Sequence, residues 1–89
     1  MNSADKKKFR AAAHALKPVV MIGQSGLTAA VLAEIELALN SHELVKVRIR
    51  ADRKDRKQIS EQICAATGKT ELIQNIGQIA VIYRLNPDK

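Results

Sequence analysis

The stretch 19-VVMIGQSGLT-28 decides how the rest of the chain is organised. Four apolar residues are followed by two glycines three positions apart, Gly23 and Gly26, and then by Thr28, a residue type that caps helix N-termini. This order predicts a strand, a tight turn and a helix. Because glycine lacks a Cβ and the first N–H groups of a helix have no partner within it, such a turn is able to hold a phosphate. Short glycine motifs also occur in plain strand-to-helix turns, so the stretch alone leaves both interpretations open.

Three helices are predicted from apolar periodicity and capping residues. The first extends to about His14 and ends before Lys17 and Pro18, and the third ends at Gly68. The second carries a stripe of apolar residues and ends in residues 40–42. The predicted N-caps of the three helices are Ser3, Thr28 and either Asp52 or Asp55.

Four strands are predicted. Residues 19–22 are apolar throughout, which is typical of a strand covered on both faces or flanked by neighbours. "ELVKVRIRA", residues 43–51, alternates apolar with basic side chains, so we expect one face of this strand in the core and the other in water. "ELIQNI" and "IAVIYRL" flank Gly77 and Gln78, which predicts an antiparallel hairpin with a tight turn.

Together these elements predict a single α/β domain over residues 1–89, in the order α-β-α-β-α-β-β. Right-handed crossovers place the second and third helices on one face of a four-stranded mixed sheet, which the hairpin closes. The opposite face need not be covered, and the strand order does not follow from the sequence. The glycine turn lies at the carboxyl end of a strand, the usual ligand edge of such a sheet.

The charge of the chain favours an anionic partner. Lys and Arg number 15 against 9 Asp and Glu among 89 residues, for a net charge of +6, which suits nucleic acid or an acidic surface. The positive charge is concentrated in residues 1–17, with net +4, and residues 44–57, with net +5. Phe9 and Tyr83 are the only aromatic residues, which argues against a platform that stacks several bases.

Other chemistry has weak support in the sequence. Cys64 is the single cysteine, so an internal disulfide is excluded, and its place near the apolar stripe of the third helix predicts a buried small side chain. His14 and His42 show no metal-ligand spacing with it. No nucleotide-binding glycine motif is complete, so an enzyme is the weaker class and no cofactor is expected. The absence of a leader or a long apolar run predicts a cytoplasmic protein without a membrane span.

The residues that carry a family resemblance are "HALKPVVMIGQSGLTAAVLAEIELALNSHELVKVRI", at 14–49, and "IGQIAVIYR", at 76–84. They resemble the CRM domain (chloroplast RNA splicing and ribosome maturation) in its single-domain bacterial form, known as YhbY. The "LKP", "GxxG", "LT" and "HELVKV" motifs are specific as a set. The resemblance implies an RNA-binding domain, associated with precursors of the large ribosomal subunit in bacteria. It also implies a GxxG loop similar to that of KH domains, on a fold similar to the C-terminal domain of a bacterial translation initiation factor.

The resemblance implies that the turn itself touches RNA, through Gly23, Gln24, Ser25 and Gly26. The two basic blocks add the other candidate RNA-binding residues, which are Lys6, Lys7, Arg10, Lys17, Lys46, Arg48 and Arg50. Since the first helix ends shortly before the strand that leads to the turn, its cations are expected within reach of a duplex held there. The run from Arg50 to Lys57 is a second possible bank.

Two alternatives stay open. Lys46 and Arg48 would leave the RNA surface if they paired with Glu71 across the sheet. The protein could also be a docking scaffold on the ribosome that uses its sheet face rather than the turn. The expected partner is RNA, ribosomal RNA in particular. The protein is expected to be a monomer.

Overall fold

The computed structural model describes residues 2–86 and has the predicted order of elements. The elements are α1 Ser3–Ala13, β1 Val20–Ile22, α2 Ala29–His42, β2 Leu44–Ile49, α3 Arg53–Thr67, β3 Glu71–Ile76 and β4 Ile79–Tyr83. The predicted fold class, a mixed α/β domain with a four-stranded sheet, is confirmed.

The sheet has the strand order β1-β2-β4-β3. β1 is parallel to β2, whereas β4 is antiparallel to both of its neighbours, β2 and β3. The last two strands form the predicted hairpin, and Gly77 adopts a φ of 54° in its two-residue turn, where a side chain would be strained. Because β4 returns between β2 and β3, the hairpin closes one edge of the sheet and leaves β1 at the other.

The main hydrophobic core lies between the sheet and the helices α2 and α3, which share one face as predicted. Its fully buried members come from both helices and from all strands but β3, and they include Ile22, Ile35, Leu39, Val47, Ile49, Ile63 and Ile82. Burial of such a side chain stabilises the fold by about 1.5–3 kcal/mol. This core therefore fixes where the two helices lie relative to the strand ends.

A smaller core lies on the opposite face, under α1. The ring of Phe9 stacks on Tyr83 with centroids 4.1 Å apart, and Ala13 packs in the same cluster as Ile73 and Val81. The two aromatic rings therefore pack on each other and do not form an open stacking surface for a ligand.

The prediction that the basic face of β2 lies in water is wrong in part. Lys46 and Arg48 are half-buried, because α1 and the segment after it cover this side of the strand. The Lys46 Nζ donates a hydrogen bond to the Leu16 carbonyl oxygen at 3.0 Å.

The strand β1 is less covered than its apolar sequence predicted. It is an edge strand, and Met21 is 53% exposed, while Val20 and Ile22 are buried on the face of α2 and α3. α1 lies against β2 and β3 instead, so one face of β1 stays open.

Two of the predicted helix caps are confirmed and one is wrong. Thr28 caps α2, and Asp52, rather than Asp55, caps α3 through a 2.9 Å bond from the Asp55 N–H to its Oδ1. α1 is capped by Asn2 instead of Ser3: the Asn2 Oδ1 accepts from the Asp5 N–H at 2.9 Å. Both residue types cap well, so the sequence alone did not separate these neighbours.

Candidate nucleic-acid interface

The glycine loop, defined as Gly23–Gly26, connects the end of β1 with the residues that lead into α2. The Gly26 N–H donates to the Gly23 carbonyl oxygen at 3.0 Å, so the loop is a tight turn. Gln24 and Ser25 are exposed at its tip.

The outer surface of the glycine loop is open. A Cβ at Gly23 or at Gly26 would meet no atom within 4 Å, so neighbouring protein atoms do not explain the two glycines. Gly26 has a φ of 72°, which side-chain-bearing residues rarely adopt, and this explains one of them. At Gly23 neither explanation holds, and the missing side chain leaves the backbone open to close approach.

The N-terminus of α2 follows the loop after two residues. The Thr28 Oγ1 accepts from the Val31 N–H at 3.2 Å, which satisfies one of the N–H groups at this helix end. The remaining first-turn N–H groups and the helix dipole create positive potential beside the loop. An anion at the loop would be stabilised by this potential.

The loop faces a cavity of about 360 Å³, which we call the loop cavity. Its opposite wall is the side of α3 that carries three polar residues, Asp55, Gln58 and Gln62, together with Ile59. The Arg50 N–H donates to the Ile22 carbonyl oxygen at 2.9 Å, and this backbone bond holds Arg50 at the rim of the cavity. Of the predicted cations, Arg50 is the one that lines the cavity with the loop.

The cations of α1 lie elsewhere. Lys6, Lys7 and Arg10 belong to the helix that packs on the other face of the sheet, and Lys17 follows that helix. The Phe9–Tyr83 stack lies where β2 begins, since Tyr83 is paired with Leu44, whereas the glycine loop lies where β1 and β2 end. The six residues of β2 correspond to about 20 Å.

Arg48 and Lys46 also face the α1 side of the sheet, away from the loop cavity. The Arg48 Nε is buried and has no hydrogen-bond partner within residues 2–86. Neither side chain pairs with Glu71; over the described part of the chain, the ion pair that forms is Arg84–Glu36, at 2.8 Å. The alternative that Glu71 neutralises these two cations is therefore wrong.

A second concave surface lies on the other side of α3. The sequence predicts its basic residues, as part of the run 50–57, but not the concave shape. The groove between α3 and β3, about 850 Å³ in volume, is lined by Arg53, Lys54, Arg56, Lys57, Glu61, Leu72, Asn75 and Gly77. The charge run 50–57 signalled the cations. Gln58 and Gln62 in the loop cavity carried no signal of their own, because amide residues four apart on a helix are common on solvated faces.

Cys64 is the one thiol of the chain, and its surroundings disfavour the thiolate. Burial raises the pKa of the half-buried Cys64 thiol, and the carboxylate of Glu71 raises it further, so the thiol is a poor nucleophile near neutral pH. Across the described residues, no three His, Cys, Asp or Glu side chains are grouped to hold a metal ion. No helix in residues 2–86 has the length and apolar character of a membrane span.

Comparisons with known proteins identify a family for this chain. The family model described as the CRS1/YhbY (CRM) domain matches residues 1–84. A protein of Pseudomonas aeruginosa named a probable RNA-binding protein is 44% identical over 88 residues, covering 98% of this chain and 84% of its own length. A protein of Haemophilus influenzae named an RNA-binding protein is 43% identical over 84 residues, covering 94% of this chain and 85% of its own.

A solved structure also matches. The solution structure of a Staphylococcus aureus protein described as a candidate RNA-binding protein superposes with a TM-score of 0.84 at 32% identity. The match covers 96% of this chain and 88% of the other. The fold of this chain is therefore shared with a protein that is also described as an RNA-binding candidate.

Proposed function

Because the chain belongs to the CRS1/YhbY (CRM) domain family, we propose that it binds RNA through the glycine loop and the facing wall of α3. The observation that carries the proposal is the loop cavity. It combines a glycine backbone free of side-chain cover with one exposed arginine, Arg50, and with amide side chains on α3. The names of the relatives support the same ligand class.

In this proposal a phosphate of the RNA backbone lies against Gly23, where no Cβ separates it from the main chain. The positive end of the α2 dipole stabilises it, and Arg50 supplies a second, charge-assisted contact. Gln58 and Gln62 offer amide groups that donate to or accept from sugars and base edges. Gln24 and Ser25 contact the strand from the tip of the loop.

The two aromatic rings do not contribute to this site. Phe9 and Tyr83 stack on each other on the α1 side of the sheet, so no aromatic side chain is available beside the loop cavity for base stacking. We infer that recognition depends on backbone and shape more than on base identity.

The resemblance to YhbY-type proteins supports a narrower role as a ribosome assembly factor. In this role the RNA is ribosomal RNA in precursors of the large subunit, bound in the cytoplasm by a monomer without a cofactor and without catalysis. The glycine loop then acts as a clamp rather than as a catalytic turn.

The test is a comparison of two substitutions at one position. Gly23→Asp places a negative charge where the phosphate is proposed, and we expect affinity for fragments of large-subunit ribosomal RNA to fall by about tenfold or more. Gly23→Ala adds a Cβ that meets no protein atom and carries no charge, so it should weaken binding less than Gly23→Asp and separates the effect of bulk from that of charge. Both variants should fold, as judged by circular dichroism. Equal and undiminished binding by the two would move the RNA site away from the loop.

One observation favours a second candidate function, a protein-docking scaffold that uses the sheet. Met21, Arg48, Ile79 and Ile76 form a row across all four strands by register, and the two residues at its ends are each about half exposed. Affinity capture after nuclease treatment separates the two functions. A docking protein would keep its ribosomal partner, whereas an RNA clamp would lose it.

A further inference from the structure

The groove between α3 and β3, called the basic groove below, is distinct from the loop cavity. The two concavities lie on opposite sides of the N-terminal half of α3, and they share no lining residue. Leu72 and Asn75 of β3 form one wall of the basic groove, and Gly77 at the hairpin turn closes its end. That turn lies at the same end of the sheet as the glycine loop, because the Gln78 carbonyl oxygen accepts from the Ile49 N–H at 2.7 Å.

The wall contributed by α3 carries a net positive charge. Arg53, Lys54 and Lys57 are exposed and have no ion-pair partner within residues 2–86. Glu61 is the one acidic residue that lines the groove. Asp55 lies on the other flank of the helix, in the loop cavity, and so does not neutralise these cations.

The positions of these cations are unfavourable for the helix itself. Asp52 is the N-cap of α3, so Arg53 and Lys54 occupy its first two positions, at the positive end of the dipole. Arg53 and Lys57 are four residues apart, where like charges repel. Arg56 is different, because its Nη1 donates to the Ala51 carbonyl oxygen at 2.7 Å and thereby stabilises the start of the helix. Folding explains Arg56, and Glu61 four residues after Lys57 offers that lysine a weak, solvent-exposed attraction, but nothing in the fold explains Arg53 or Lys54.

We propose that the basic groove binds a second segment of the phosphodiester backbone of the RNA held at the glycine loop. This inference rests on the proposed function, and it names the kind of RNA that the site takes. The two backbone segments flank one α-helix, whose diameter with side chains is about 10–12 Å. A hairpin or duplex offers two backbone strands on either side of such a ridge, whereas a strand of a few nucleotides fills only one side. The domain is therefore a binder of folded RNA.

An acidic protein segment is the competing ligand for the groove. RNA is favoured because the groove opens beside the hairpin turn, at the same end of the sheet as the glycine loop, so one ligand spans both. The wall of β3 also presents the Asn75 amide. Its N–H groups are able to donate to sugar or phosphate oxygens as well as to a peptide, so this residue is compatible with RNA.

The test is the salt dependence of binding. For an RNA hairpin, the triple variant Arg53→Gln, Lys54→Gln and Lys57→Gln should reduce the slope of log K against log salt by about two to three units, since each phosphate contact contributes nearly one. A single-stranded oligonucleotide of about four nucleotides, the length that a GxxG loop clamps, should bind the triple variant and the parent equally.

Two controls make the result specific. Lys69→Asn removes one charge at the opposite end of α3, and asparagine is chosen because it tolerates the φ of 55° at that position. This variant is compared with the single variant Lys57→Gln, which also removes one charge. We expect Lys57→Gln to lower the slope by about one unit and Lys69→Asn to leave it unchanged. The melting temperature of the triple variant should not fall, because the cations do not stabilise the helix start.

The failure of this inference differs from the failure of the proposed function. If the triple variant keeps the parental slope while Gly23→Asp loses affinity, the loop is the RNA site and the basic groove binds something else, an acidic protein segment being the next ligand to test. If the triple variant binds the short single strand and the hairpin more weakly by the same factor, the basic groove does not bind a second segment of the RNA. If neither Gly23→Asp nor the triple variant affects the hairpin, the RNA site lies elsewhere and both proposals fall.

Discussion

The buried hydroxyl of Ser60, on α3, lies 3.2 Å from the Asn75 Oδ1 on β3 and so joins the two walls of the basic groove. The same hydroxyl lies 2.8 Å from the Arg56 carbonyl oxygen, one helical turn earlier, and shares its single hydrogen between the two acceptors. The Ser60 side chain is completely inaccessible to solvent, whereas Asn75 is exposed on the groove side. One small polar side chain thus connects the two walls directly.

Ser60→Ala should lower the free energy of unfolding by about 0.5–1 kcal/mol, because it removes the hydrogen bonds of a buried hydroxyl, while the exposed Asn75 amide is free to bond water instead. Urea denaturation measures the change. Ser3→Ala is the matched control: Ser3 is exposed and does not cap α1, so its replacement should change stability by less than about 0.5 kcal/mol. Equal effects of the two variants would contradict the assigned contact.

The two loop glycines should differ in their tolerance of alanine. Gly26→Ala forces a side chain into a φ of 72° and should cost about 1–2 kcal/mol of stability. Gly23 does not have a positive φ and has open space around it, so Gly23→Ala should be close to neutral. Thermal unfolding of both variants checks the difference. A larger loss for Gly23→Ala would show that this position is constrained by packing after all.

The thiol of Cys64 gives a pH-dependent prediction. Since burial, with a smaller contribution from Glu71, raises the thiol pKa in the folded protein, the unfolded chain loses this proton at a lower pH. Between the two pKa values the unfolded state binds fewer protons, so the contribution of Cys64 to stability is complete below the unfolded pKa and declines as the pH rises through the alkaline range.

Alkylation by iodoacetamide measures this shift, because the thiolate is the reactive form. The rate for the folded protein should rise only at a more alkaline pH than the rate in urea. Glu71→Gln should lower that midpoint slightly and leave most of the shift, since burial is the larger cause. Identical pH profiles for the folded and unfolded protein would overturn the assignment.

The sequence predicted the elements of this fold well because each has a local cause. Thr28 caps α2, Gly68 ends α3 with a φ of 61°, and Gly77 turns the hairpin with a φ of 54°. These signals act over three or four residues. The open face of β1 at Met21 has no signal in the sequence, because an apolar run looks the same in an edge strand as in a central one, and strand order depends on contacts distant in sequence.

The candidate site likewise has parts with a local sequence signal and parts that depend on contacts distant in sequence. The glycine loop was visible as a motif, and Arg50 as part of a run of charge. The loop cavity exists because α3 lies opposite the loop, and the basic groove exists because β3 lies beside α3. Both positions follow from the packing of α3 against the sheet, through Ile63 and its neighbours, which no local sequence signal shows. Arg48 and Lys46 were assigned to an open basic face because the position of α1 over β2 has no local signal.

The position of α1 makes a discriminating prediction about its cations. The sequence predicts that Lys6, Lys7 and Arg10 contact RNA held at the loop, so their replacement by glutamine is expected to lower the salt slope by about two to three units. In the fold these residues belong to the helix on the other face of the sheet, and Phe9, next to Arg10, packs where β2 begins. An RNA must therefore pass around the domain to touch both surfaces.

We expect the length of the RNA to decide the outcome. With a short hairpin that covers only the glycine loop and α3, the variant with glutamine at Lys6, Lys7 and Arg10 should keep the parental salt slope. With a fragment of large-subunit ribosomal RNA of a hundred nucleotides or so, long enough to reach the other face, the same variant should show the lower slope. Charge cannot account for such a difference, because the net charge removed is the same in both titrations. A reduced slope with the short hairpin would place the α1 cations beside the loop in the complex, and an unchanged slope with both RNAs would remove them from the RNA surface.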